Sequence, residues 1–427
     1  MAYETGAAYL KSLQNRARQV EESDRIERAV QGIIREVRLN GDQALYTYTE
    51  QFDGVQLESL VVTEAEFEAA EETVGEAFMK SIQQAKTEIT AFHEAQKEQT
   101  WLLERGDGKL VGQKVTALQS VGIYVPGGKA AYPSTVLMNA IPAKIAGVKR
   151  IQMTTPVQKD GTVNPYVLAA AKLVGVDVIY KVGGAQAVAA LAYGTETVQK
   201  VVKIVGPGNA YVAEAKKQVF GQVAIDMIAG PSEVCVVADD SANPKFVAAD
   251  LLAQAEHDEM ARAICITTSA SFADELRVEL KQQTARAERR AVIEKSLAQN
   301  GKIVLVSDLQ EAFTIVNELA PEHLQLMIDN PMDVLTKVEN AGAIFLGPYS
   351  PEALGDYMAG PNHTLPTSGT AKFSSPLGVY DFMKKSSIIQ YSKEALQQVA
   401  DDIIEIATKE QLPAHAASIA IRKDEVE

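Results

Sequence analysis

The spacing of apolar positions divides the chain into stretches of different period. Residues 1–98 read as mostly helical, and over 63–97 Ala, Phe and Ile recur at helical spacing among charges. From about Thr100 to Leu118 the pattern shifts towards strands. From Val121 short apolar runs take turns with helical segments: VGIYV, RIQMTT, VDVIYKV, VVKIV and QVAID, then VCVVAD, AICITTS, KIVLVS, HLQLMI and GAIFLG. Strands alternating with helices of this length predict parallel sheets wound by βαβ crossovers, in two α/β blocks over 121–233 and 234–350. Ser134 and the pair Asn243-Pro244 mark two helix starts.

Residues 347–382 break the rhythm. The stretch is dense in Gly, Pro, Ser and Thr, and an irregular loop of that length in a compact chain points to function. A last helix is predicted from about Lys393 to Lys409, leading into EQLPAHAASIAIRKDEVE. A tail this short has no core of its own, so it packs on the body or on a second chain.

Composition narrows the function classes. Apolar residues at 46% and charged residues at 23% suit a globular chain, and 427 residues allow two or three domains. With 41 basic against 56 acidic residues, a net charge of -15 and no Lys/Arg cluster, nucleic acid and anionic membranes are poor partners. No apolar run reaches the ~18 residues of a spanning helix. The N-terminus lacks the apolar stretch of a signal peptide, so the expected location is cytoplasmic. Cys235 and Cys265 lie in strand-like runs and read as buried, reduced thiols.

Several segments could carry chemistry. VGIYVPGGK (121–129), VGGAQ (182–186) and VGPGN (205–209) place glycine turns after strands, where backbone N–H groups can face a phosphate. Taken singly, each is as readily an ordinary βα turn. Gly206-Pro207-Gly208-Asn209-Ala210-Tyr211 lacks the third glycine of the dinucleotide fingerprint, and Asp226 falls about where a ribose-binding acid would stand. In DMIAGPSE, Ser232 presents a hydroxyl to a ligand or bonds its own turn. Gln254 and His257 share a helix face at i and i+3, a spacing open to two ligands of one metal. Glu322 and His323 adjoin at a helix–strand junction and suit two proton transfers, or else form a solvated turn. Asp356 and His363 fall in the irregular stretch, Glu410 and His415 in the tail. Of five histidines, four (257, 323, 363 and 415) sit in these segments, which favours one shared site, while His93 reads as structural or solvated.

Together YVPGGKAAYPS, VGGAQA, VGPGN, DMIAGPSE, LLAQAEHD, LAPEHLQL, LGDYMAGPNHTLPTSGTA and EQLPAHAASI resemble the histidinol dehydrogenase family, over residues 22–420. The resemblance implies two Rossmann-like α/β domains, an N-terminal helical segment (1–21) and a small C-terminal helical tail domain (379–427) that crosses a homodimer. The first α/β domain takes 22–120 with 234–378, and the second, 121–233, binds NAD. It implies oxidation of L-histidinol through L-histidinal to L-histidine, with one Zn2+ per subunit. Gln254, His257, Asp356 and His415 are the implied zinc ligands, and Tyr124, Gln186 and Asn209 the NAD contacts. Ser232, His323 and Glu410 join the four ligands as substrate contacts, and Glu322 and His323 form the acid–base pair. Glu410 and His415 are expected to complete the partner subunit's site. Rival readings are a relative acting on another small alcohol such as a sulfonated diol, a zinc hydrolase, and a two-lobed binding protein.

Overall fold

The computed structural model describes residues 1–14, 20–127 and 131–424. Residues 128–130 of the first glycine turn thus lie outside the described residues. Two compact units emerge: Met1–Gln96 with Leu118–Phe382, and Lys97–Ala117 with the chain from Met383 on. Along the chain the strands are β1 (Ala2–Thr5), β2 (Trp101–Glu104), β3 (Lys109–Ala117), β4 (Ser120–Tyr124), β5 (Arg150–Thr154), β6 (Val178–Tyr180) and β7 (Lys203–Val205), then β8 (Ala224–Ile225), β9 (Glu233–Ala238), β10 (Arg262–Thr267), β11 (Lys302–Leu305), β12 (His323–Met327), β13 (Ala343–Leu346) and β14 (Met383–Tyr391).

The first unit holds two parallel sheets, so the α/β class expected from the alternation is found. One runs β6-β5-β4-β7-β8, the other β1-β11-β10-β9-β12-β13. In the second sheet, Val234 and Val236 of β9 pack in one core with Val247 and Leu251 of the helix Pro244–Ala255. Cys235 and Val237 face the opposite core, with Phe313 and Val316 of the helix Leu309–Leu319. A strand covered on both faces needs apolar residues at every position, which is why VCVV shows no alternation. Each such side chain contributes about 1.5–3 kcal/mol on burial.

The order β6-β5-β4-β7-β8 puts a switch point between β4 and β7, where successive connections leave in opposite directions. Just past β7, Gly206 has φ +113°, and a Cβ there would lie 2.1 Å from the Tyr124 carbonyl oxygen. Only glycine lets these two strand ends close up.

Three local expectations change. The N-terminus opens with β1, parallel to β11, before the helix Gly6–Gln14. The predicted last helix is two, Lys393–Gln397 and Ala400–Lys409, the first capped by Ser392 Oγ accepting from Ala395 N–H at 3.1 Å. The stretch 347–382 contains a short helix, Glu352–Tyr357, and two 3-10 turns, Thr370–Lys372 and Val379–Phe382.

The second unit is a three-stranded antiparallel sheet, β14-β3-β2, with the helices Lys393–Gln397, Ala400–Lys409 and Pro413–Asp424. Residues 101–117, assigned by the resemblance to the first α/β domain, therefore pair with the tail. Trp101, Leu102, Leu103, Ile389 and Ile406 are exposed. Among the described residues no helix is long and apolar enough to cross a membrane.

His93 is structural. It is buried on the helix Glu76–Glu94, with Nδ1 2.8 Å from Gln96 Oε1 and Nε2 3.4 Å from Asn362 Nδ2. Gln96 Oε1 also accepts from Val379 N–H at 3.0 Å, so the stretch is anchored at Asn362 by His93 and at Val379 by Gln96. Burial holds its imidazole below the ordinary 6.5. As pH falls through that value the unfolded chain takes up the proton and the folded one does not, so this residue removes stability on the acid side. His93→Gln should lose less stability than the parent between about pH 7.5 and 5.5, read as urea midpoints. Parallel pH slopes would assign the acid sensitivity elsewhere.

Candidate active site

Glu322 and His323 stand where the helix Leu309–Leu319 gives way to β12. Ala320 ends the helix in the left-handed region at φ +48°, its N–H still donating to Val316 O at 2.7 Å, and Pro321 cannot prolong it. Parallel pairing with β9 then sets His323 opposite Val234. This brings the Glu233 backbone between both side chains. Its N–H donates to Glu322 Oε2 at 2.9 Å, and its carbonyl oxygen lies 3.1 Å from His323 Nδ1. A carbonyl only accepts, so the tautomer that satisfies it has the proton on Nδ1 and leaves Nε2 its lone pair.

Glu322 is 6% exposed and His323 5%. Burial lowers the imidazole to about 4 and raises the Glu322 carboxyl well above the usual range, Glu233 and Asp356 adding to the rise. The pair is therefore an imidazole that burial keeps neutral beside a carboxyl whose ionisation burial disfavours. Ser232, half-buried immediately before β9, hydrogen-bonds the Glu322 carboxylate.

Gln254 is fully buried near the end of the helix Pro244–Ala255, which Asn243 caps through Oδ1 and Lys245 N–H at 3.0 Å. His257 is not on that helix, as the i, i+3 reading has it. The helix ends at Ala255, and exposed His257 lies in the next turn, its N–H donating to Gln254 O at 3.2 Å. Asp356 is on the short helix Glu352–Tyr357, not in irregular chain. His363 props it, with Nδ1 3.2 Å from Asp356 O and Nε2 3.3 Å from Thr135 Oγ1.

One turn before Asp356, Glu352 is a site residue that sequence reasoning missed. The ligand atoms of His257, Glu352 and Asp356 lie within 4.8 Å of one another. Glu352 is 3% exposed, and burial, then Asp356, raises its carboxyl. With its amide nitrogen inward, Gln254 donates to Glu352 Oε1 at 3.1 Å and Oε2 at 3.2 Å, and the same nitrogen lies 3.1 Å from His323 Nδ1. Gln325 of β12 accepts from Glu352 N–H at 3.0 Å and donates to Asp250 Oδ2 at 3.3 Å. The available signal was the i, i+4 spacing of Glu352 and Asp356, hidden by the surrounding Gly and Pro.

One imidazole and two carboxylates in so small a span form a donor set for zinc. Among the described residues the ion-pair partners of Glu352 and Asp356 are histidines, so a cation would supply the missing positive charge. Glu410 and His415 belong to the second unit, at the end of the helix Ala400–Lys409 and in the first turn of Pro413–Asp424, and both are exposed there.

The switch point gathers the other candidates. Tyr124 ends β4, is buried, and its hydroxyl accepts from Gly184 N–H at 3.0 Å; burial pushes that phenol up to about 12. Gln186, on the helix Gly184–Tyr193, is buried, and its Oε1 has no protein partner among the described residues. Asn209 caps the helix Ala210–Val219, its Oδ1 accepting from Tyr211 and Val212 N–H, which leaves its exposed amide N–H groups to a ligand. Asp226 does not play the ribose acid. Its buried carboxylate pairs with Lys216 and accepts from Gly206 and Met227 N–H at 2.7 and 2.6 Å.

A cavity of about 620 Å³ reaches His323, Phe345, Asp356 and His363, and another of about 430 Å³ borders His257, Tyr132, Ser134 and Tyr357. Both are of a size that holds small molecules. Cys235 and Cys265 are buried, and burial pushes Cys265 to about 12 and Cys235 well up, so neither is a nucleophile.

Residues 16–423 match the histidinol dehydrogenase family model. A histidinol dehydrogenase of Listeria monocytogenes is 56% identical over 400 residues, covering 94% of this chain and 93% of its own. One from Bacillus cereus is 52% identical over 425 residues, covering 100% and 98%. The crystal structure of histidinol dehydrogenase from Elizabethkingia anophelis superposes with a TM-score of 0.94 at 37% identity, over 100% of this chain and 98% of that one. This chain belongs to the histidinol dehydrogenase family.

Proposed function

We propose that the chain is a zinc-containing, NAD-dependent oxidoreductase of histidine biosynthesis, acting in the cytoplasm, that converts L-histidinol through L-histidinal to L-histidine. Membership of the family supports oxidation of histidinol. The observation that carries the chemistry is the neutral, buried His323 beside a buried Glu322, adjoining the cluster of His257, Glu352 and Asp356.

Gln254, His257 and Asp356, with His415 of the partner subunit, would hold the metal. Glu352 takes the amide N–H of Gln254, which leaves the carbonyl oxygen as the atom Gln254 can offer. When bound, zinc orients the substrate through its imidazole and amine, and NAD accepts the hydride of each oxidation. His323 Nε2 takes the hydroxyl proton in the first oxidation. Glu322 takes a proton from the water that adds to the aldehyde, and Ser232 and Glu233 N–H hold the carboxylate in place for it. As the hydrate forms, His323 Nε2 returns the proton it holds to the carbonyl oxygen, and so freed it accepts a hydroxyl proton of the hydrate as the second hydride leaves. Burial of both side chains keeps competing water away.

Tyr124, Gln186 and Asn209 are the proposed NAD contacts, in residues 121–233. The free Oε1 of Gln186 and a switch point at the carboxyl ends of β4 and β7 support that assignment. Glu410 suits a substrate bearing an amine better than one bearing a sulfonate. A homodimer with shared sites is supported by the second unit, which exposes Trp101, Leu102, Leu103, Ile389 and Ile406.

The deciding experiment is the stoichiometry of NADH formed to histidinol consumed. About two is expected for paired proton-coupled oxidations at one site, and a ratio of one would overturn the four-electron reaction. Glu322→Gln should spare the first oxidation and slow the second by about 10²–10⁴-fold, measured with histidinol and histidinal as separate substrates. Histidine formed at the parental rate would remove Glu322 from the hydration step. His415→Asn should lower bound zinc by metal analysis. Mixing it with a Glu322→Gln chain should restore activity if subunits share sites, and no recovery would mean that each chain builds its own.

A further inference from the structure

A buried ion pair that none of these roles uses holds the turn after β7. Lys216, on the helix Ala210–Val219, and Asp226, just past β8, have side chains only 2% and 1% exposed. Lys216 Nζ donates to Gly206 O at 2.9 Å, while Asp226 Oδ2 accepts from Gly206 N–H at 2.7 Å. Opposite members of one ion pair thus grip both polar backbone groups of a single residue. That residue is the glycine whose φ of +113° lets it close against the Tyr124 carbonyl. Asp226 Oδ1 also accepts from Met227 N–H at 2.6 Å, which ties the grip to the chain leaving β8.

Helix packing alone does not explain this arrangement. Burying a lysine and an aspartate strips both of water, and an apolar pair of similar volume would hold the helix to the strand as well or better. An apolar pair cannot hold the N–H and C=O of Gly206. The turn is also the one that lacks the third glycine of the dinucleotide fingerprint, so its shape needs another source. A cavity of about 120 Å³ borders Gly206, Gly208, Lys216, Asp226, Ser232 and Glu322, which places the turn beside the proton-transfer pair.

We propose that Lys216 and Asp226 are positioning residues for the dinucleotide: by clamping Gly206 they hold Tyr124 and Asn209 in the geometry that receives NAD. This rests on the reading of those two residues as NAD contacts. Three variants test it in the zinc-loaded protein: Lys216→Met, Asp226→Asn, and the double variant Lys216→Met/Asp226→Leu. Melting temperature, NAD affinity by calorimetry, and KM for NAD and for histidinol are measured on each.

Both single variants should melt earlier and bind NAD more weakly. The double variant, with no unpaired buried charge, should recover the parental melting temperature yet bind NAD about tenfold more weakly, with KM for histidinol unchanged. Parental melting together with parental NAD affinity would overturn the inference, and so would equal losses for NAD and histidinol. If the double variant does not fold, Asp226→Asn decides, because the isosteric amide replaces an acceptor with a donor. A selective loss for NAD supports the clamp, and parental NAD affinity overturns it. A parent with no saturable NAD dependence would overturn the NAD reading itself, and the clamp with it.

Discussion

The site depends on the backbone of one residue, Glu233. Parallel pairing of β9 with β12 places the Glu233 backbone so that its N–H meets the Glu322 carboxylate and its C=O meets His323 Nδ1. A buried carboxylate and a buried imidazole are each costly without a partner. Here one residue satisfies both with groups that need no side-chain ordering. The neighbouring strand completes the frame: Gly342 N–H donates to Pro321 O at 2.9 Å and Ala343 N–H to Glu322 O at 2.8 Å. A Cβ at Gly342 would lie 2.5 Å from the Glu322 carbonyl, so β13 can approach this closely only through glycine. Glu352 joins the same frame through Gln325, whose carbonyl accepts its backbone N–H.

Glu322 and His323 sit at the amino end of β12, whereas ligands of open α/β sheets usually bind at carboxyl ends. Chain connectivity explains this. β8 ends at Ile225 and β9 begins at Glu233. The seven residues between can span at most about 25 Å. The carboxyl end of the five-stranded sheet is thereby tethered to the amino end of the six-stranded one. That tether carries Gly230, whose N–H donates to Thr367 Oγ1 at 2.6 Å, and Ser232 against Glu322. The Gly206 turn of one sheet and Glu322 of the other consequently border one cavity.

What was legible in the residues was whatever depends on local period or on a motif. The run VCVVAD announced β9, and the Asn243-Pro244 start of the helix carrying Gln254 was readable from its capping chemistry. β1 and β14 were not, because a four-residue edge strand and the polar MKKSSIIQY owe their conformation to β11 and β3 across the sheets. Glu352 was lost inside a Gly- and Pro-rich stretch whose short helix is held from outside, by contacts such as that of Gln325. Asp226 misled for the opposite reason. Its place in the chain suited a ribose acid, but Lys216, ten residues away, claims its carboxylate. His93 read as structural or solvated on a charged helix, and what decides it is buried contact with Asn362, 269 positions on.

The two buried thiols bear on how the proposed oxidation of an aldehyde would proceed. Cys235 is only two residues from Glu233, yet it faces the core shared with Phe313, and Cys265 faces the opposite core with Val234. Rotating either toward the cavities would tear a strand buried on both faces. Burial also holds both thiols in the unreactive form. Oxidation of an aldehyde without a thiol adduct needs its hydrate, because a hydride can leave only from a tetrahedral carbon. Adding water calls for a carboxylate made more basic than usual, and removing the hydrate's proton calls for a base that is not already protonated. Burial raises Glu322 and lowers His323, so one desolvated environment shifts the two groups in opposite directions, as the two proposed tasks require.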